Sequence, residues 1–178
     1  TTGHQQPRDI RIIGCHFHDL RWYGMLYDGR RAVIEGCIFE NIVDTAVRIR
    51  YRDASPGYDV QIINNIVRGI RVHEDPDEGV TYGIGIALEA AEGIRISGNQ
   101  IRDCDKYGIR LLDCAYVDVS NNVIGNIGRA DEDESCDISG GDTTFTMDNV
   151  NNIGGSDMEV DPGVRVVHDA FETDPGTY

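Results

Sequence analysis

An all-β solenoid, with short strands wound into stacked coils, is the fold class that this 178-residue sequence predicts. Three observations carry the prediction. Ile and Val together number 36 against five Leu, and 21 glycines punctuate them; β-branched side chains favour strands over helices. The second observation is repetition. Ile10-Arg-Ile12-Ile-Gly14-Cys15-His-Phe17 matches Ala32-Val-Ile34-Glu-Gly36-Cys37-Ile-Phe39 and Val60-Gln-Ile62-Ile-Asn64-Asn65-Ile-Val67. Ile94-Arg-Ile96-Ser-Gly98-Asn99-Gln-Ile101 and Val117-Asp-Val119-Ser-Asn121-Asn122-Val-Ile124 complete the set. The equivalent Ile12, Ile34, Ile62, Ile96 and Val119 lie 22, 28, 34 and 23 residues apart, a unit of about 22 residues with insertions of varying length. Third, the units carry a second half of period two: Gly24-Met-Leu-Tyr27, Ala46-Val-Arg-Ile49, Gly83-Ile-Gly-Ile86 and Gly108-Ile-Arg-Leu111. Strands this short at this interval stack as about five rungs of a parallel β-helix.

The elements follow in order. Residues 1–8 form a lead-in, 9–139 the β-helix and 140–178 an irregular C-terminal cap or extension. Ile12, Ile34, Ile62, Ile96 and Val119 form one inward column, and Met25, Val47, Ile84 and Ile109 a second. Cys15, Cys37, Asn65, Asn99 and Asn122 share a turn column. There asparagine can adopt the left-handed conformation and hydrogen-bond its copy one rung, roughly 4.8 Å, away. Cys15 and Cys37 lie within disulfide reach at that spacing, or stand as two small buried thiols. After Ile127 the register fades: Asp131-Glu-Asp-Glu134 is an acidic loop, Cys136-Asp-Ile138 one last strand, and the chain from Gly140 is polar and rich in Gly and Asn. At the other end too few residues precede the first rung to cap it, so either further sequence or a partner is expected to cover its unpaired backbone groups. The absence of an initiator Met and of a charged-then-apolar leader reads as a processed product or a fragment.

Charge narrows the function classes. Acidic residues number 31 against 16 basic ones, Lys106 is the single lysine, and the net charge is −15. A nucleic-acid partner is excluded, because there is little positive field to displace counterions from phosphate. An anionic membrane is excluded for the same reason, and no apolar run approaches the 18 or so residues of a membrane span. Carboxylates in excess, with arginine kept and lysine nearly gone, read as a protein from a salt-loving organism, where concentrated salt screens self-repulsion. The five cysteines include no C-x-x-C pair, so no zinc site is signalled.

Over residues 8 to 128, the V-x-I-x-x-N-x-I and G-I-x-L pattern resembles the right-handed parallel β-helix superfamily, the pectin-lyase-like fold. That superfamily includes polysaccharide lyases, epimerases, glycoside hydrolases and the trimeric tail and spike proteins of viruses. The resemblance implies a groove over the outer face of the sheet built by the second-half strands. Its outward column reads Leu26, Arg48, Gly85, Arg110, with Gly85 leaving the floor open between two arginines. Two insertions flank it: Tyr51-Arg52-Asp53-Ala-Ser-Pro-Gly57, directly after Arg50, and Arg71-Val-His73-Glu74-Asp75-Pro-Asp77-Glu78, before Gly83.

Arg48, Arg50 and Arg110 would hold an acidic sugar through planar guanidinium forks, and Tyr82 and Tyr107 would extend the binding surface. Tyr23, Thr45, Tyr82 and Tyr107 read as one column, Trp22 and Lys106 as its neighbour, and each serves packing as well as it serves sugar binding. His73, or an arginine of lowered basicity among Arg48 and Arg110, would take a proton in a catalytic reading. Glu74, Asp75, Asp77 and Glu78 would offer oxygen ligands to Ca²⁺. The other reading of these residues is a solvated turn above salt-bridged arginines. The loop order His-Glu-Asp-Pro differs from the Asp-Pro-His-Glu of alginate epimerases, Arg-x-Pro-x-x-Arg of pectate lyases is absent, and no rung aligns the paired carboxylates of inverting hydrolases. His16 and His18 alone supply too few ligands for a metal.

The expected function is therefore a structural and glycan-recognition module of a virion tail, spike or capsid-decoration protein, or of a cell-surface fibre, from a halophilic system. It would act as a homotrimer or larger assembly at an extracellular or virion surface, with cell-surface or acidic polysaccharide as its partner. The alternative is a polysaccharide lyase or C5-epimerase acting on an acidic polysaccharide.

Overall fold

The computed structural model describes residues 7–50, 57–72 and 82–128, and beyond them the strand backbones of Glu134–Ser139, Thr144–Asp148, Asn151–Ile153, Met158–Val160 and Arg165–Val166. Every regular element among the described residues is a strand, and every pairing between strands is parallel. The chain visits three sheets in turn. Sheet A stacks Arg8–Ile13, Arg30–Glu35, Val60–Ile63, Arg95–Ser97 and Val117–Ser120. Sheet B stacks His16–Leu20, Ile38–Val43, Ile66–Arg71, Gln100–Cys104 and Val123–Ile127. Sheet C stacks Met25–Tyr27, Thr45–Arg50, Ile84–Glu89 and Tyr107–Leu112. Each strand pairs with its counterparts one coil earlier and one coil later, which is the expected β-helix.

Apolar columns fill the interior. Ile12 pairs with Ile34, Ile34 with Ile62, Ile62 with Ile96 and Ile96 with Val119; the last four are fully buried. Phe17 stacks on Phe39 with ring centroids 4.8 Å apart and planes 3° from parallel, and Val67, Ile101 and Ile124 continue that column. The register of sheet A is continuous across both insertions, which fall in the sequence between Arg50 and Gly57 and between Val72 and Tyr82.

The corner between sheets A and B holds the asparagine ladder. Asn65, Asn99 and Asn122 are buried. The Asn99 carboxamide oxygen accepts from the Asn65 backbone N–H at 2.9 Å and from Asn65 Nδ2 at 3.0 Å. Its Nδ2 donates to the Ile62 carbonyl and to Asn122 Oδ1, each at 2.9 Å. The pattern recurs one coil on, and the ladder ends where Asn65 Oδ1 accepts the Cys37 N–H at 2.9 Å. A buried amide is thus satisfied on both sides at every rung. The left-handed position, however, belongs to the preceding residue: Gly14, Gly36, Asn64, Gly98 and Asn121 have φ of 63, 61, 56, 68 and 54°. That residue makes the bend, and the ladder asparagine is free to point inward. Cys15 and Cys37 both carry free thiols, Cys15 exposed and Cys37 buried.

One expectation is corrected. Ile86, not Ile84, pairs with Val47 and Ile109, while Ile84 pairs with Thr45 and Tyr107. Gly85 therefore belongs with Gly24, Ala46 and Gly108, and a Cβ there would meet the Gly108 carbonyl oxygen at 2.6 Å and Ile101 Cγ2 at 2.8 Å. A slip of two residues keeps every side chain on its own face, so apolar alternation could not detect it. Strand pairing also continues beyond residue 139. Thr144–Asp148 pairs with Val117–Ser120, Asn151–Ile153 with sheet B, Met158–Val160 with sheet C and Arg165–Val166 with sheet A, so coiling goes on past it. The repeat is hard to read there because Asn152 occupies the register position of Ile124.

Candidate functional site

Strand geometry turns alternate residues of sheet C outward: Val47, Ile49, Ile86, Leu88, Ile109 and Leu111 fill the core, so Arg48, Arg50, Ala87, Glu89 and Arg110 belong to the outer face, where Arg48 and Ala87 are themselves buried. The true outward column is Leu26, Arg48, Ala87, Arg110, which replaces the expected Gly85 by Ala87. The two arginines remain two rungs apart, with a methyl group between them.

Arg48 is held from three sides. Its NH1 donates to the Tyr23 hydroxyl at 2.8 Å and its NH2 to Glu89 Oε1 at 2.6 Å. Its Cζ lies 5.3 Å from the ring centroids of both Tyr23 and Tyr82. The side chain is only 9% exposed. A guanidinium that contacts two aromatic rings and donates from one nitrogen to a hydroxyl and from another to a carboxylate is held in place, although its Nε is buried with no hydrogen-bond partner among the described residues. Burial pulls its pKa down, but Glu89 and Tyr23 outweigh that pull and raise it. An arginine of lowered basicity is therefore not what Arg48 provides; it is a fixed cation. Burial likewise pushes the Tyr23 hydroxyl up, with Arg48 opposing.

Arg110 lies over the Tyr107 ring at 5.7 Å from its centroid, and the Lys106 ammonium sits 5.3 Å from the same centroid. Two cation–aromatic groups thus stand on one face: Arg48 with Tyr23, Tyr82 and Glu89, and Arg110 with Tyr107 and Lys106. Arg50 flanks the first, its backbone in register with Glu89, and its Nε is buried with no hydrogen-bond partner among the described residues. Tyr82 reaches this face from two positions before the column that holds Tyr23, Thr45, Ile84 and Tyr107. Glu89 and the pairing role of Tyr23 were missed by sequence reasoning. Glu89 has the same outward parity as Arg48, so the correct register would have placed it beside the arginine.

The remaining site expectations divide. His73, Glu74, Asp75, Asp77 and Glu78 lie outside the described residues. Among the described residues no three His, Cys, Asp or Glu side chains are placed to hold a metal ion. The rings of His16 and His18 lie 4.7 Å apart and tilted by 47°, and each turns to its own carboxylate, Glu40 at 3.3 Å and Asp19 at 2.8 Å. Arg68 is the main reason that the Glu40 carboxyl titrates below its usual range, with burial opposing and His16 assisting. On sheet B, Gly69 opens a surface hollow of about 430 Å³ lined by Glu40, Asn41, Arg68, Arg71 and Asp103. Its arginines are already paired, Arg68 with Glu40 and Arg71 with Asp105.

The coil geometry agrees with the family comparison. The model for the right handed beta helix region matches residues 2–171, and the chain belongs to that family. A search of curated proteins returned no match. Among solved structures, the full-length tailspike protein 2 from Escherichia coli O157:H7 bacteriophage CAB120 is similar, with a TM-score of 0.62 at 10% identity. The match covers 81% of this chain and 20% of the tailspike, so the chain spans a fifth of that protein's length. The A-modules of two Azotobacter vinelandii mannuronan C-5 epimerases, AlgE6 and AlgE4, score 0.45 and 0.47 at 10% and 14% identity. They are covered over 55% and 58% of their lengths, by 91% and 90% of this chain. At 10% identity the likeness to the tailspike speaks to fold alone. No helix among the described residues is long and apolar enough to cross a membrane.

Proposed function

We propose that this β-helix is a glycan-recognition module whose binding surface is the outer face of sheet C. One observation carries the reading: Arg48, in contact with the rings of Tyr23 and Tyr82 and bonded through separate nitrogens to the Tyr23 hydroxyl and Glu89, neighbours the Arg110–Tyr107 pair on sheet C. Rigid aromatic and guanidinium planes lose little entropy on binding and suit flat, hydroxylated or carboxylated sugars. The partner is a cell-surface or acidic polysaccharide, and Arg110, Tyr107 and Arg50 are its contacts, with Arg48 holding the platform. A Ca²⁺ ion held by Glu74, Asp75, Asp77 and Glu78 belongs to the same proposal.

The setting follows from the same argument. A virion tail, spike or capsid decoration, or a cell-surface fibre, would display the coil as a homotrimer or larger assembly. The net charge of −15 with a single lysine supports a salt-rich environment. The fixed charge on Arg48 weighs against its serving as the base of a lyase or epimerase.

The test is oligouronate binding by calorimetry, with and without Ca²⁺, on the wild type and on Tyr107→Ala with Arg110→Ala. The variant is expected to lose about tenfold or more in affinity, 1.4 kcal/mol, with an unchanged melting temperature. Equal affinity in both proteins overturns the reading. Appearance of unsaturated or epimerised uronates would transfer it to the enzymatic alternative.

A further inference from the structure

In the first two coils the corner between sheets A and B carries thiols where later coils carry asparagines. Cys15 and Cys37 occupy the ladder column, and the flanking pairs Ile13 with Glu35 and His16 with Ile38 keep them opposite one another. Backbone bonds bracket the pair. The Gly14 N–H donates to the Glu35 carbonyl and the Ile38 N–H to the Cys15 carbonyl, both at 2.9 Å. One rung, roughly 4.8 Å between Cα atoms, lies inside the range that a disulfide spans.

The two sulfurs differ in access. Cys37 is buried, and its Sγ leans toward the first coil, 3.5 Å from the Ile12 carbonyl oxygen. Cys15 is exposed, its Sγ 3.6 Å from the Ile13 carbonyl oxygen. A dissolved oxidant therefore meets Cys15 first. Burial pushes the Cys37 thiol up, with backbone hydrogen bonding at Cys15 opposing, which suits Cys37 to the second step rather than the first.

A bond here would hold the least supported coil. Ile12, Phe17, Leu20 and Met25 are only partly buried, whereas their partners one coil on, Ile34, Phe39, Ile42 and Val47, are fully buried. Among the described residues the strands of the first coil are the outermost of sheets A, B and C. A layer with fewer buried apolar contacts and an open edge opens before the rest. The same coil supplies Tyr23, whose hydroxyl accepts from Arg48.

We propose that Cys15 and Cys37 form a reversible disulfide that latches the first coil to the second. The oxidant is a low-molecular-weight disulfide such as oxidised glutathione. The Cys15 thiolate attacks it: a bond forms to the Cys15 sulfur, the small disulfide's own bond breaks, and one glutathione thiolate leaves and takes up a proton in place of the one Cys15 lost. The Cys37 sulfur then attacks the Cys15 sulfur, the mixed bond breaks, and the second glutathione leaves with the Cys37 proton. Two protein thiols give up two electrons, and one small disulfide becomes two thiols. In-register side chains run parallel and must turn toward each other to join, so excess thiol reopens the bond.

The full chain is treated with oxidised glutathione, the remaining thiols are alkylated, and the tryptic peptides are weighed. Cys15 and Cys37 fall in separate peptides, residues 12–21 and 32–48. Expected is a cross-link between these two peptides that an excess of reduced glutathione removes. Hydrogen exchange of the amides of residues 8–20 should slow by about tenfold or more in the oxidised protein, and those of residues 95–127 should keep their rates. Cys15→Ser and Cys37→Ser should each abolish the cross-link and the slowing together. Both thiols remaining open to alkylation, Cys15 held only as a mixed adduct with glutathione, or a cross-link that leaves exchange in the first coil unchanged would each overturn the proposal.

Discussion

The asparagine corner and the outer face of sheet C are built from the same coils and obey opposite rules. At the corner Asn65, Asn99 and Asn122 repeat one residue and one hydrogen-bonding pattern, and every amide is buried and paired. On sheet C the outward column changes from Leu26 to Arg48 to Ala87 to Arg110, and the polar groups find partners diagonally rather than in register. The corner earns stability from repetition. The face departs from repetition, and that departure is where a ligand can be recognised.

Substitution at the ladder should have the largest effect. Asn99→Ala removes both acceptors and donors from the middle of the stack and leaves the Asn65 N–H and the Ile62 carbonyl unpaired in the core. The expected cost is about 3 kcal/mol, a fall of roughly 6–12 °C in the melting temperature for a domain of this size. A calorimetric melt within a degree of wild type would abolish the contrast between the two regions. Arg48→Ala comes next. It leaves Glu89 without its cation and opens the gap between Tyr23 and Tyr82, and should cost about 2 kcal/mol. Arg48→Lys should recover less than half of it, because an ammonium cannot fork. Full recovery in urea unfolding would mean that charge alone, not the planar fork, holds the face together.

The smallest effect tests the ladder from its end. Cys37 already offers its N–H to Asn65 Oδ1, and its thiol points at the Ile12 carbonyl at 3.5 Å, the place an amide Nδ2 takes one coil later. Cys37→Asn should therefore add a rung and raise stability by about 1 kcal/mol. A loss of stability would show that the ladder cannot extend beyond its three members.

How much of this was legible depended on what repeats. The coil, its inward columns and the ladder could be read because each position recurs at Ile12, Ile34, Ile62, Ile96 and Val119 or at Asn65, Asn99 and Asn122. The two-residue slip at Gly85 escaped because alternation has a period of two, and only the close contact of Gly85 with the Gly108 carbonyl distinguishes the registers. Strands past residue 140 escaped because their polar residues occupy apolar columns. The enclosure of Arg48 could not be read at all. It depends on Tyr82, which arrives from beside a long insertion, and on a diagonal to Glu89 that only the correct register supplies.

Because each coil rests on the one before it, position in the chain is height along the axis, at roughly 4.8 Å per coil. Charge that is sorted along the sequence is then sorted in space. Among the described coils, residues 7–50 hold seven arginines and six carboxylates, whereas residues 82–128 hold four basic groups and six carboxylates. A gradient of charge therefore runs along the axis of the described coils, and a charged surface would meet their two ends with different energies before any contact forms.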